Sequence, residues 1–435
     1  MGESFFILSS QINLLARFFS LEKYPIFHNT ILMKTKAFLF IVLMAFGTSF
    51  LFAQRNAYAG ADKNTQDALA KVDQLIEQRQ YATAFGSLSM DNEYFIAKKT
   101  EIAINYFIQS MMHQMFVLDN LKEDQDILEL RKNLTGTYNM TYFDPAKIIK
   151  EYSEKNGEKP ILNYALGLYY SDVLRRYQDQ WLISDEELVN NTITYLLKAY
   201  EKDCWDAWSM SELAYSYMTK GDYQTAIKYY TVKLDQKEEF TINDEYNFAL
   251  CNFFCGNYPM AQQYMEKSIK NYENNPGYLY DTWWVLSAIY INTQQYDLAQ
   301  KALDNCKSLN MGDYRLEQRY ISFYAILKDK EKTLQASADF FQIGPENPSV
   351  PQFVIQEYYD RSIEDWLPDF FEQELKRQNL STGTLQNLYF HYTASLSYLD
   401  KKAEAAIMAE KARQAFRLDD SLTDDIDQML TGFSQ

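Results

Sequence analysis

Along the middle of the chain, apolar and aromatic positions recur at helical spacing in paired segments separated by short polar turns. Residues 207–240 read as one pair, 242–275 as a second and 280–310 as a third. In each, an aromatic-studded first helix is followed by a turn and an amphipathic second helix. Tyr223-x-x-Ala226, Tyr258-x-x-Ala261 and Tyr296-x-x-Ala299 open the second helices, their alanines 35 and then 38 residues apart. Gly221 and Gly256 fall in the turns, where a residue without Cβ adopts positive φ and ends a helix. The alanines predict close helix crossings, with Tyr230, Met265 and Leu303 filling the wider spaces beside them.

Weaker pairs extend the pattern in both directions. A helix over 65–77 precedes Tyr81-x-x-Ala84 and Leu88, and 160–177 is followed by a helix over 185–200. Residues 314–328 pair with 330–341, ending at Gly344-Pro345, and 384–399 pair with the alanine-rich 402–416. Two stretches break the rhythm. The apolar residues of 93–118 predict one longer helix, and polar 119–142 predicts a wrap before Asp144-Pro145 opens the next helix. Residues 345–368, with Glu364 and Asp365 beside Trp366, predict a packed connector; acidic 419–427 predicts a solvent-facing terminal cap.

These units resemble the tetratricopeptide repeat family, whose 34-residue helix–turn–helix carries a loose W-x2-L-G-x2-Y, A-x3-F, P pattern. The matching positions are Leu213, Ala214, Tyr217, Tyr223, Ala226 and Tyr230, then Phe248, Ala249, Tyr258, Ala261 and Met265. The third unit supplies Trp283, Leu286, Ser287, Tyr290, Tyr296, Ala299 and Leu303, and 160–177 matches at Leu166, Gly167 and Tyr170. Asn252 stands where an aromatic is usual, and Lys233 where a second alanine is usual. The resemblance implies an all-α fold, tandem hairpins forming a right-handed α-solenoid, and a binding rather than catalytic role. Its geometry turns Trp208, Glu212 and Tyr215 toward an inner groove, followed by Tyr246, Leu250 and Phe253, then Asp281, Trp284 and Ile291. His391 and Tyr398 take similar places in the C-terminal pair.

The chain accordingly divides into an upstream extension (1–32), a leader (33–53), degenerate hairpins (62–200) and three clear repeats (207–310). A further hairpin (311–344), a connector with a helix (345–382) and a C-terminal hairpin with its cap (383–429) complete it. The leader rests on its own pattern: Lys34 and Lys36 precede an almost wholly apolar run, Met33 is a natural start, and small Ala53 precedes polar residues. A membrane anchor is the competing reading, since the run comes close to bilayer length. No cysteine follows to carry a lipid, and Cys204, Cys251, Cys255 and Cys306 read as free thiols rather than a disulfide framework.

Composition narrows the function. With 69 Tyr, Phe and Trp but only 14 Gly and 9 Pro in 435 residues, large rings fill the core and glycine-rich cofactor loops are disfavoured. A net charge of −17 argues against nucleic-acid binding, which rests on positive charge. After the leader only His113 and His391 remain, so a histidine metal site is disfavoured; His113 reads as a packing residue. No HExxH, phosphate-loop, nucleophile-elbow or calcium-loop pattern occurs. The reading is a non-enzymatic scaffold without cofactor, exported to the periplasm or outer surface of a bacterium and binding a protein or peptide of the cell envelope. A glycan-binding component of the outer membrane and a cell-envelope enzyme are the alternatives. The exported protein is expected to begin near Gln54, with Gly60 the second choice; N-terminal sequencing that recovers residues 1–32 or a retained apolar run contradicts this.

Overall fold

A computed structural model describes residues 55–106, 108–110, 114–118, 140–177, 182–236, 239–309 and 312–434. The leader and His113 therefore lie outside the described residues, as does most of the wrap expected over 119–142. The chain forms two compact units, one ending at Asn271 and the other beginning at Tyr272.

The described part of the first unit runs from a 3-10 turn at Ala57–Gly60 through α1 (Lys63–Glu77), α2 (Tyr81–Gly86) and α3 (Glu93–Tyr106). Here the expected long helix needs correction. After Tyr106 the chain runs through β1 (Ile108–Ser110) and β2 (Gln114–Leu118), antiparallel with Ile108 opposite Phe116. β3 (Met140–Phe143) adds on the far side of β2, Tyr142 opposite Phe116. The apolar residues of this stretch keep no helical period, and Ile108, Phe116 and Val117 are strand formers.

Helices then alternate: α4 (Pro145–Asn156), α5 (Pro160–Tyr177), α6 (Asp185–Tyr200), α7 (Ala207–Thr219), α8 (Tyr223–Asp235), α9 (Ile242–Phe254) and α10 (Tyr258–Asn271). Their starts are written locally. Asp144 accepts from the Lys147 amide with Pro145 in the first turn, Ser184 caps α6, and capping boxes start α7 (Asp206, Ser209) and α9 (Thr241, Asp244). The expected turn glycines have positive φ, 83° at Gly221 and 73° at Gly256. Within the unit α5 packs on α6, α7 on α8 and α9 on α10, and each second helix then packs on the next first helix. That is solenoid stacking.

Small residues set the crossings. Ala214, Ala226, Ala249 and Ala261 are all fully buried. A Cβ on Gly167 would sit 2.5 Å from Leu196 Cγ, so only glycine fits where α5 meets α6. Where the helices diverge, rings fill the gap: Tyr217 stacks on Tyr229, Tyr223 on Phe254, and Tyr230, Phe240, Phe248 and Tyr264 meet edge to face or tilted.

The second unit repeats the scheme with α11 (Pro276–Asn292), α12 (Tyr296–Leu309), α13 (Arg315–Ile326) and α14 (Lys330–Phe341). The connector is itself helical: α15 (Ser349–Asp360), a 3-10 turn at Glu364–Trp366 and α16 (Leu367–Leu375), which buries Phe370 and Phe371. α17 (Thr382–Tyr398) pairs with α18 (Lys402–Arg417) through buried Ala405, Ala409, Ala412 and Ala415. The terminal α19 (Asp424–Ser434) carries Asp424, Asp425 and Asp427 in its first turn and buries Leu430 against α17 and α18.

Both departures from the repeat pattern have partners. The Lys233 ammonium, 5 % exposed, lies 2.7 Å from the Asp244 carboxylate and donates to Ser211 at 3.0 Å. Asn252 donates to the Phe248 carbonyl and accepts from Asn257, both at 2.8 Å. Removing one member of a buried ion pair strands the other charge, so Lys233→Met is expected to lose about 3–5 kcal/mol of stability. Adding Asp244→Asn, which keeps the cap, should recover part of it. Urea denaturation of the single and double variants measures this, and an undiminished Lys233→Met contradicts it.

Candidate functional site

A cavity of about 500 Å³ opens between the Ala57–Gly60 turn and α1, α3, α5 and α7. Leu69, Ala70 and Asp73 come from α1, Lys98 and Glu101 from α3, Tyr164 from α5, and Asp206 and Trp208 from the start of α7. Tyr58 reaches in from the turn and donates its hydroxyl to Glu101 at 2.7 Å. Lys98 bridges Glu101 at 3.2 Å and Asp73 at 2.8 Å. Tyr164 donates to Asp206 at 2.7 Å, while the other Asp206 oxygen caps α7.

Electrostatics here follow from crowding. Burial, reinforced by the Asp206 charge, raises Glu101 above the usual carboxylate range, against the opposing pull of Lys98 and Tyr58. Burial also pushes the Tyr58 and Tyr164 hydroxyls well up, so both stay protonated donors.

Trp208, expected to face a groove, is half-buried on this cavity and donates from Nε1 to Glu212 at 3.1 Å. Glu212 is buried, accepts from Ser171 of α5 and pairs with Arg175 at 2.7 Å. Arg175 lies 4.5 Å from the ring centre of half-buried Tyr215. Those three residues therefore belong to one network across α5 and α7. On α9, Tyr246 and Leu250 are buried, whereas Phe253 is half-buried beside Phe254 and Tyr258.

The second unit gathers a different set. Trp284 is buried with the Arg319 guanidinium 4.1 Å from its ring centre, and Tyr280 stacks at 6.2 Å. Arg315 grips Asp313 through two nitrogens at 2.7 and 2.6 Å, and Tyr280 donates to the same carboxylate at 3.2 Å. Asp281, half-buried beside them, has a buried Oδ2 with no hydrogen-bond partner. Burial pushes its pKa up to about 7, with Arg315 opposing and Asp313 assisting. Ile291 is half-buried, His391 is buried and kept neutral by a pKa lowered to about 4 through burial, and Tyr398 is 68 % exposed.

Sequence reasoning missed most of the first-unit cavity: Tyr58, Asp73, Lys98, Glu101, Tyr164 and Asp206. A signal was present on α3, where Lys98, Lys99 and Glu101 stand among the buried Ile96, Ala97, Ile102, Ala103 and Ile104. Lys99 turns elsewhere, donating to the Phe85 carbonyl at 2.7 Å.

Comparison with known proteins agrees with the geometry of the hairpins. Residues 209–231 and 280–310 match a family model described as tetratricopeptide repeat. Those two segments match tetratricopeptide repeats. Stacked repeats of this kind create the extended concave surfaces that solenoid proteins use for binding. No curated protein matches the chain. Among solved structures it is similar to a tetratricopeptide repeat protein from Parabacteroides merdae, at 14 % identity over 62 % of this chain and 98 % of that one, TM-score 0.38. MamA from Desulfovibrio magneticus gives 16 % identity over 40 % and 97 %, TM-score 0.31. PilF of Pseudomonas aeruginosa gives 12 % over 48 % and 88 %, TM-score 0.33. None of these likenesses bears on what the repeats of this chain bind. Among the described residues no group of three His, Cys, Asp or Glu is placed to hold a metal ion, and no helix is long and apolar enough to cross a membrane.

Asp281 makes a pH prediction for the repeats. Its folded pKa of about 7 lies above the ordinary 3.8, so its contribution to stability falls as pH rises through that window. Asp281→Asn is therefore expected to stabilise the protein increasingly from pH 5 to pH 7, then level off. Thermal unfolding of both proteins across that range tests it, and a gap that stays constant with pH rules it out.

Proposed function

We propose that this chain is a non-enzymatic scaffold of the cell envelope that binds a protein or peptide partner along the first helices of its repeats. The observation that carries this reading is the cavity at Trp208: helices α1, α3, α5 and α7 converge on it with the rings of Tyr58, Tyr164 and Trp208 and with fixed polar groups. Aromatic anchors in partly enclosed pockets dominate the energetics of many protein interfaces. Export across the inner membrane to the periplasm or outer surface is part of the proposal and is supported by the leader pattern at 33–53.

A photo-crosslinking amino acid in place of Trp208 is expected to give a discrete protein adduct in the native cell. The same residue in place of exposed Gln224, on second helix α8, should give none. With the captured partner in hand, Trp208→Ala should weaken binding by about 2 kcal/mol or more while leaving the helical spectrum intact. Adducts confined to polysaccharide would favour the glycan-binding alternative, and adducts only at Gln224 would remove the first-helix surface from the proposal.

A further inference from the structure

The cavity between α1, α3, α5 and α7 is selective in sign. Three carboxylates line it, Asp73, Glu101 and Asp206, and one ammonium, Lys98, faces them. They come from three separate elements, so their convergence is a product of the stacking. Lys98 is committed to Asp73 and Glu101, leaving Asp206 with no cation in the cavity. Two of the acids are also held by neutral donors: Tyr58 donates to Glu101, Tyr164 to Asp206, and the α7 amide of Ser209 to Asp206.

The cavity thus concentrates negative charge around about 500 Å³ of space, a volume typical of ligand pockets. Glu101, whose side chain is only 13 % exposed, bears that charge against its own burial and against Asp206. A cation entering the space relieves both. The walls suit the rest of such a ligand: Leu69, Ala70 and the Trp208 ring offer apolar surface to an aliphatic stem, and the Tyr58 ring already has one ammonium 5.6 Å from its centre.

A neutral sugar is a poorer match. It needs donors as well as acceptors, yet both tyrosine hydroxyls and the Trp208 Nε1 hydrogen are already given to carboxylates. Apart from the side-chain amides of Asn56 and Gln66, what the lining has left to offer is acceptor oxygen and ring face. We infer that this cavity receives the ammonium or guanidinium group of a lysine or arginine side chain presented by a protein partner. The inference rests on the scaffold reading and narrows the partner to one with a basic, extended segment.

The test is titration calorimetry of the leaderless protein with the peptide acetyl-Gly-Arg-Gly-Lys-Gly-Arg-Gly-amide, its counterpart with glutamate at the three basic positions, and cellohexaose. Binding of the basic peptide alone is expected, with slowed hydrogen exchange at Ala57–Gly60 and α1. Asp73→Asn with Glu101→Gln should weaken it at least tenfold at a temperature where the variant is still cooperatively folded, although stranding Lys98 lowers its unfolding temperature, and Trp208→Ala should weaken it separately. No binding by the basic peptide, equal binding by the glutamate peptide or cellohexaose, protection elsewhere only, or unchanged affinity in the folded double variant each overturns the inference. The scaffold reading fails independently, through crosslinking at Trp208. A captured partner segment without basic residues would retain the scaffold and discard the basic-side-chain pocket.

Discussion

Everything in this protein depends on how closely a first helix can lie against its second. The permitted distance is set by single small residues at the crossings, Gly167 in α5 and the buried alanines 214, 226, 249, 261 and 299. At Gly167 even one methyl group collides with Leu196. A close crossing forces divergence on either side, and that is where the chain places its tyrosines and phenylalanines. The high aromatic content is thus the volume complement of a few missing side chains.

Tight stacking also decides which polar groups are tolerated. A charge buried between hairpins must bring its partner, and the partners come from neighbouring elements: Asp244 at the start of α9 answers Lys233 near the end of α8. Asp244 simultaneously serves the α9 capping box, accepting from Thr241. The pair therefore ties the end of one hairpin to the beginning of the next. Arg175 and Glu212 instead tie two first helices together, α5 and α7. In the second unit, Arg319 lies on Trp284 across α11 and α13. The same rule that stabilises the stack produces its unusual chemistry, because groups that face one another between adjacent first helices are partly desolvated. Glu101 and Asp281 are both shifted upward for that reason.

What the sequence determined by itself was local: helical period, the Tyr-x-x-Ala openings, turn glycines and caps, so that most helices stand where the pattern put them. α6 spans Asp185–Tyr200, as the pattern indicates. The repeats were legible because one short motif recurs and each copy carries its own start and stop signals. Where those signals lapse, beyond Tyr106, a continuous apolar run favours helix and strand alike, and only pairing among β1, β2 and β3 selected strand.

The site was legible only in part for a related reason. A first-helix position says which way a side chain leaves its helix, so Trp208, Glu212 and Tyr215 were found together. It does not say what the neighbouring helices place opposite. Tyr246, Leu250, Trp284 and His391 share the groove register yet are buried, because adjacent side chains close over them. Conversely Tyr58, which precedes the first repeat, and Asp206, which reads as an ordinary cap, meet Glu101 and Tyr164 in one cavity. Helical periodicity is a one-dimensional property carried by neighbours along the chain. The coincidence of side chains from residues 58 to 208 is a property of stacking, and only the tertiary structure decides it.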